Sequence, residues 1–159
     1  MQHYDSKAVD SSLTYPMLIE ALRQGFAAHW TSPDRIHLEM SHDPSRIMLL
    51  MPSWTGPAER SYAGIKVATV HPENHLLNSP SIHALYYLVD GPTGEPLATM
   101  DATRITLWRT ACASALASSF LSREDSSVMT MVGSGNLASY FIRAHMAVRP
   151  ITEVHLWNH

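Results

Sequence analysis

The segment VMTMVGSGNLASYFIRAHMAV, residues 128–148, constrains the fold more than any other part of the sequence. An apolar run typical of a strand ends at two closely spaced glycines, and a helical pattern follows. Gly133 permits a tight turn out of the strand, Gly135 lets backbone amides approach a pyrophosphate, and Ala138 keeps the helix close to the sheet. With the second strand EVHLW at residues 153–157, the pattern predicts a dinucleotide-binding βαβ unit with the phosphates at the helix N-terminus.

Asn158 bears on the choice of nucleotide. It follows the second predicted strand, about twenty residues beyond the glycines, where NAD-binding folds place an acid for the ribose 2′-hydroxyl. Asparagine supplies neither that carboxylate nor its repulsion of a 2′-phosphate. The sequence therefore predicts NADP or NAD as cofactor and favours NADP.

Composition and charge exclude several classes of protein. The chain has 159 residues, of which 45% are hydrophobic and 16% charged, and its net charge is −3. No basic surface is expected to recruit nucleic acid, and no apolar stretch is long enough for a membrane span. The N-terminus lacks the pattern of a secretory signal, so we expect a cytoplasmic protein without nucleic-acid or membrane partners. Its ten histidines are scattered without metal-ligand spacing, so no metal site is predicted.

The sequence before residue 122 alternates between helical and strand patterns. Helices are predicted at residues 14–29 and 102–122, the second capped by Asp101 or Thr103. Between them lie strand-like runs, namely IHLEM, RIMLLM, Tyr62–Val70, IHALYYLVD and LATMD, with hairpin chemistry in GPTGEP. We therefore expect an α/β protein. An N-terminal α+β module, residues 1–122, precedes an incomplete Rossmann domain, residues 123–159.

Lys66 and Arg109 are the strongest candidates for chemistry, because each stands where its local pattern favours a small or apolar residue. Lys66 points to the same strand face as Ala68 and Val70, and Arg109 lies in an alanine-rich helix. The alternative is structural, because a strand lysine can extend to water and a helix arginine can lie on a solvated face. Cys112 lies in the same helix, where a small buried residue is a more common role than a nucleophile.

Five motifs carry a resemblance to a known family. They are the strand lysine of GIKVATV, the turn PEN, the hairpin TGEPLA, the helix segment TLWRTA and the turn VGSGNLA. In this order they resemble the ornithine cyclodeaminase and mu-crystallin family of NAD(P)-dependent proteins, over residues 33–159.

The resemblance implies a role for each matching residue. Arg35, Lys66 and Arg109 correspond to the cations that hold the substrate carboxylate, and a desolvated Lys66 is also a candidate catalytic proton donor. Met51 matches a pattern that lines the family's pocket. The implied cofactor-binding residues are Thr110, Gly133, Ser134, Gly135, Asn136, Leu137 and Asn158. Leu137 departs from the family, because many relatives carry glutamine there.

The resemblance implies an NAD(P)-dependent oxidoreductase that reduces a small cyclic imino acid such as Δ1-pyrroline-2-carboxylate. It also implies that residues 1–122 are the substrate and dimerisation module of a homodimer. One alternative is ornithine cyclodeaminase, which converts ornithine to proline and ammonia. Another is a non-catalytic protein, either a ligand-binding relative like mu-crystallin or a dimerising fragment. The pattern covers about the first half of the family and lacks its amine-handling aspartate. We therefore expect the 159-residue chain alone to be inactive.

Overall fold

The computed structural model describes residues 1–40, 43–56 and 61–158, and packing divides the chain into two compact units. The first unit combines Met1–Ser11 with His29–Ile105, and the second combines Ser12–Ala28 with Thr106–His159. Because this grouping follows packing rather than function, the boundary at residue 122 between substrate and nucleotide modules stays a prediction.

The first unit is built on a seven-stranded sheet. Its strands are β1 Gln2–Tyr4, β2 Trp30–Thr31, β3 Ile36–Glu39, β4 Ile47–Thr55, β5 Tyr62–Val70, β6 Ile82–Asp90 and β7 Pro96–Asp101. The order is β1-β7-β6-β5-β4-β2, with β3 also paired to β4. All pairs are antiparallel except β1 with β7. The predicted strands are thus confirmed and share one sheet, whereas the short strands β1 and β2 were not predicted.

Two connections set the register around β6. The predicted hairpin between β6 and β7 is confirmed, and Gly94 adopts a φ of 71° that favours glycine. Between β5 and β6 the chain forms a 3-10 helix, Pro72–Leu77, that ends at Asn78 in the left-handed region with a φ of 53°. Asn74 Nδ2 donates to the carbonyl of Pro80 at 2.9 Å and closes this turn. The turn therefore fixes how β6 lies against β5.

Three α-helices are formed by residues before 122, and side chains cap the starts of the second and third. Helix α1 is Ser6–Ser12, α2 is Tyr15–Ala27 and α3 is Ala102–Leu121. Thr14 Oγ1 accepts from the amide of Met17 at 3.4 Å, as its N-cap position predicts. Asp101 caps α3 by accepting from the amide of Arg104 at 2.8 Å, whereas Thr103 Oγ1 accepts from the amide of Ala84. No helix in the described ranges is both long and apolar enough to cross a bilayer.

The second unit contains the predicted βαβ arrangement. Strand β8, Val128–Val132, is followed by helix α4, Ala138–Met146, and by strand β9, Glu153–Trp157. The two strands are parallel and in register over five residue pairs. A parallel pair needs a crossover connection, which α4 supplies. The α/β fold class and the start of a Rossmann unit are therefore confirmed.

Aromatic packing joins the three helices of the second unit. The Trp108 ring on α3 lies 4.5 Å from the Tyr15 ring on α2, between centroids, and 5.8 Å from the Tyr140 ring on α4. The contact with Tyr140 is edge-to-face, a favoured geometry for aromatic pairs. Next to Trp108, the small residues Ala111, Cys112 and Ala115 are fully buried on α3. Small side chains there allow close packing of neighbouring elements.

Arg149 stabilises the C-terminal end of α3. Its guanidinium donates to the carbonyls of Ser118, Ser119 and Ser122 at 3.2, 2.9 and 2.8 Å, and to Ser122 Oγ at 2.9 Å. The last carbonyls of a helix lack intrahelical partners and carry the negative end of its dipole. The guanidinium of half-buried Arg149 gives these carbonyls hydrogen-bond donors and puts a positive charge at the negative end of the dipole. Arg149 follows α4 in the chain. It thereby fixes the segment after α4 to the end of α3.

We predict that Arg149→Met lowers the free energy of unfolding by about 2–3 kcal/mol, because partly buried carbonyls lose a charged donor. Urea denaturation measures the change. Arg149→Lys should recover only part of it, since one ammonium cannot replace the planar fork. Arg123→Met is the matched control: Arg123 is an exposed arginine whose pair with Asp125 spans 2.7 Å, and its loss should leave the midpoint unchanged. Equal midpoints for Arg149→Met and wild type would contradict this role.

Candidate functional site

Lys66 lies in the middle of β5, where it is half-buried. It is directly opposite Met51 on β4 and Tyr86 on β6. Side chains of directly paired residues point to the same face of a sheet, with Cβ atoms roughly 5 Å apart. Lys66 therefore shares one face with Met51 and Tyr86, and we call this surface the Lys66 face.

Arg35 precedes the first residue of β3. Ile36 is paired with Leu50, so the same register continued by one residue brings Arg35 opposite Met51. That position belongs to the row of the sheet that contains Lys66. Lys66 and Met51 are therefore directly paired, and Arg35 immediately precedes the strand that pairs with β4, all within the first unit.

Arg109, predicted to bind substrate, and Thr110, predicted to bind the cofactor, both lie on α3 in the second unit. Arg109 is exposed and Thr110 is half-buried. Within residues 1–40, 43–56 and 61–158, neither Arg35 nor Arg109 forms a hydrogen bond or an ion pair, whereas four other arginines pair with carboxylates. As far as the described residues are concerned, both guanidinium groups therefore keep their donors available for an external anion.

The glycine turn has the backbone that the motif predicts. Gly133 has a φ of 99°, a conformation that side chains rarely tolerate, and its amide donates to the carbonyl of Trp157 at 2.8 Å. At Gly135 an added Cβ would meet no heavy atom within 4 Å. The surface above Gly135 is thus open to a ligand. Ser134 and Asn136 are exposed beside it.

The surroundings of the turn fit a dinucleotide. Leu137 immediately precedes α4, and no side chain caps this helix start, so its amides are not occupied by a side-chain acceptor. Ala138, the first residue of α4, is buried with 8% exposure, as close helix packing requires. Asn158 follows Trp157, which is paired with Val132, so it lies at the same strand edge as Gly133. The predicted cofactor-binding residues other than Thr110 therefore cluster at one edge of β8 and β9.

Cys112 has no exposed surface, and burial raises the pKa of its thiol to about 11. The thiol therefore stays protonated near neutral pH and does not act as a nucleophile. A separate apolar groove in the second unit is lined by Arg23, Phe26, Ala27, Ala113, Leu116, Ala117 and Phe120. Its single charged group, Arg23, stacks over Phe120 at 4.8 Å and pairs with Glu20. Neither feature offers catalytic chemistry.

The chain belongs to the ornithine cyclodeaminase/mu-crystallin family, whose sequence profile matches residues 5–159. It is 37% identical over 162 residues to the Δ1-pyrroline-2-carboxylate reductase of Colwellia psychrerythraea, covering 99% of this chain and 50% of the reductase. The predicted family is thus confirmed.

Two solved structures share the fold. The Thermococcus litoralis Δ1-pyrroline-2-carboxylate reductase, in complex with NADH and L-proline, superposes with a TM-score of 0.87 and 28% identity, covering 99% of this chain and 49% of the reductase. An archaeal alanine dehydrogenase dimer with bound NAD superposes with a TM-score of 0.85 and 28% identity, covering 99% and 48%. The chain thus spans about half the length of the curated relatives and solved structures it matches.

Tyr86 was not among the predicted site residues. The sequence offers adjacent tyrosines at 86 and 87, and strand alternation puts only one of them on the Lys66 face. The choice depends on the register between β5 and β6, which the 3-10 helix and Asn78 determine. Because that connection is not a short hairpin, its length alone does not show which tyrosine lies on the Lys66 face.

The two glycines of the turn allow a matched test. Gly133→Ala should lower the free energy of unfolding by about 1–2 kcal/mol, because its φ of 99° strains a side chain. Gly135→Ala should leave stability nearly unchanged, since its Cβ meets open space. The same methyl should weaken NADH binding at least tenfold in the full-length protein, because it enters the space that a pyrophosphate needs. Urea denaturation and NADH fluorescence titration measure both effects. Wild-type NADH affinity in Gly135→Ala would exclude this turn as the cofactor site.

Proposed function

We propose that the full-length protein is an NAD(P)-dependent reductase of a small cyclic imino acid, with Δ1-pyrroline-2-carboxylate as the representative substrate. The observation that carries the proposal lies within the first unit: half-buried Lys66 shares a sheet row with Met51, and Arg35 has no carboxylate partner within the described residues. The named relatives at 37% and 28% identity support the choice of substrate.

The three cations have distinct tasks in this proposal. Arg35 and Arg109 each present a planar fork that matches the two oxygens of a carboxylate, and Lys66 adds a compact charge. The family resemblance assigns all three to the substrate carboxylate, and it assigns Met51 to the apolar surface against the ring. Lys66 is also our candidate for the group that holds the proton taken up by the imine nitrogen.

The glycine turn is the proposed nucleotide site. The amides near Gly133, Gly135 and the start of α4 would hold the pyrophosphate, with Ser134, Asn136 and Leu137 beside it and Thr110 contributing from α3. When bound, the reduced nicotinamide supplies a hydride to the imine carbon. Asn158 offers no carboxylate against a 2′-phosphate, which supports a preference for NADPH. We also propose a cytoplasmic location.

A homodimer formed through the first unit is part of the proposal. On the sheet face opposite Lys66, four large apolar side chains are 41–49% exposed, namely Ile36, Leu38, Trp54 and Leu85. A contiguous exposed apolar face favours association. The archaeal alanine dehydrogenase described above is a dimer, which is consistent with this assignment.

The direct test is turnover by the full-length protein. Purified enzyme should oxidise NADPH in the presence of Δ1-pyrroline-2-carboxylate and release proline, with a higher kcat/KM for NADPH than for NADH. Absorbance at the nicotinamide band and amino-acid analysis measure both. Release of ammonia from ornithine without reduction of the imino acid would instead identify a cyclodeaminase. A clear preference for NADH would contradict the role given to Asn158.

Arg109 distinguishes a substrate-binding residue from a surface residue. We expect Arg109→Ala to lower kcat/KM at least tenfold, because a charge-assisted pair to the carboxylate is lost. Arg109→Lys should recover only part of the activity. The control is Arg123→Ala, another exposed arginine, and thermal unfolding monitors folding. If the Arg109→Ala enzyme is folded and has the wild-type kcat/KM, Arg109 is a solvent-exposed surface residue and does not bind substrate.

A further inference from the structure

Tyr86 lies on the Lys66 face, and its ring reaches Gly64 on the neighbouring strand. Its ring covers Gly64, because a Cβ added at Gly64 would lie 2.7 Å from Tyr86 Cζ and 2.8 Å from Cε1. Gly64 is two residues before Lys66 on β5, so both belong to the same face. The absence of a side chain at Gly64 therefore lets the tyrosine extend along β5 beside the lysine.

The hydroxyl of Tyr86 has no hydrogen-bond partner within the described parts of the chain. Burial raises the pKa of this phenol, so it stays protonated and remains a donor near neutral pH. A largely buried tyrosine hydroxyl usually finds a partner. In the described ranges, every fully buried side-chain oxygen has a hydrogen-bond partner. Because the Tyr86 oxygen has none, it is not fully buried and retains contact with solvent. An acceptor from outside the chain can therefore reach it.

We propose that Tyr86 is a substrate-binding residue whose hydroxyl donates to the carboxylate of the imino acid at Lys66. The proposal rests on the proposed function, because it deepens the same substrate site. A carboxylate drawn to the Lys66 ammonium comes within reach of a donor attached one strand away in the same row. Hydroxyl-to-carboxylate bonds are among the stronger hydrogen bonds, because the acceptor is charged. Gly64 acts with Tyr86, since it provides the space that the ring occupies.

Tyr87 provides a matched control. It is the next residue on β6 and is paired with Ile65 and Thr99, so its side chain points to the opposite face. Tyr86→Phe and Tyr87→Phe remove the same atom from adjacent positions of one strand. If only Tyr86→Phe weakens ligand binding, the effect comes from the hydroxyl on the Lys66 face and not from the loss of any tyrosine hydroxyl.

The test uses the full-length protein and L-proline as the carboxylate probe, measured by titration calorimetry with NADH present. Tyr86→Phe should weaken L-proline binding about tenfold or more while leaving NADH affinity unchanged, and Tyr87→Phe should change neither. L-proline affinity within twofold of wild type in Tyr86→Phe would overturn the assignment. An equal loss of NADH affinity would also overturn it, by showing general damage.

Gly64→Ala extends the test, because its methyl must displace the Tyr86 ring. It should weaken L-proline binding in the wild-type background and add no further loss in a Tyr86→Ala background. Additive losses would overturn the coupling between the two positions. If the wild-type protein neither binds L-proline nor reduces Δ1-pyrroline-2-carboxylate, the proposed function fails together with this inference. If Tyr86→Phe and Gly64→Ala both bind L-proline as tightly as the wild type does, the role of Tyr86 is rejected and the proposed function stands.

Discussion

The antiparallel register of β4, β5 and β6 is the constraint on which the candidate substrate site depends. Side chains alternate between faces along a strand, so a slip of one residue would move Lys66 away from the face it shares with Met51 and Tyr86. The hydrogen-bonded pairs on both sides of β5 prevent such a slip. A half-buried lysine in the middle of a sheet has a cost, because its ammonium group is partly desolvated. In the observed register it lies directly opposite Tyr86 and two residues from Gly64.

Helix α3 connects this sheet to the proposed nucleotide site by chain continuity. Its first residues belong to the first unit and are capped by Asp101, and its later residues belong to the second unit. In the second unit, Trp108 packs against two aromatic rings and Arg149 binds the final carbonyls. The helix is therefore held at its start, on one side and at its end. Arg109, one residue after Trp108, projects from a well-supported part of the backbone, which suits a residue proposed to orient a substrate.

The sequence predicted the parts of the fold with strong local signals. The cap at Thr14, the hairpin in GPTGEP and the tight turn at Gly133 follow from local motifs, and all are observed. Strands β1 and β2 were missed because they are two or three residues long and depend on pairing with distant strands. Tyr86 was missed for a related reason, since its face depends on register across a 3-10 helix. Arg149 has no sequence signature, because its acceptors are carbonyls some thirty residues earlier.

Burial of Cys112 has a practical consequence for spectroscopy. It is the only thiol among the 159 residues, and it is fully covered and protonated at neutral pH. Alkylating dyes and spin labels react with exposed thiolates, so they should not label Cys112 in the folded chain. A single cysteine introduced on an exposed position, such as Ser134 beside the glycine turn, would then be labelled selectively. Movement of that turn could be followed by one reporter, without first removing the native residue from a tightly packed helix.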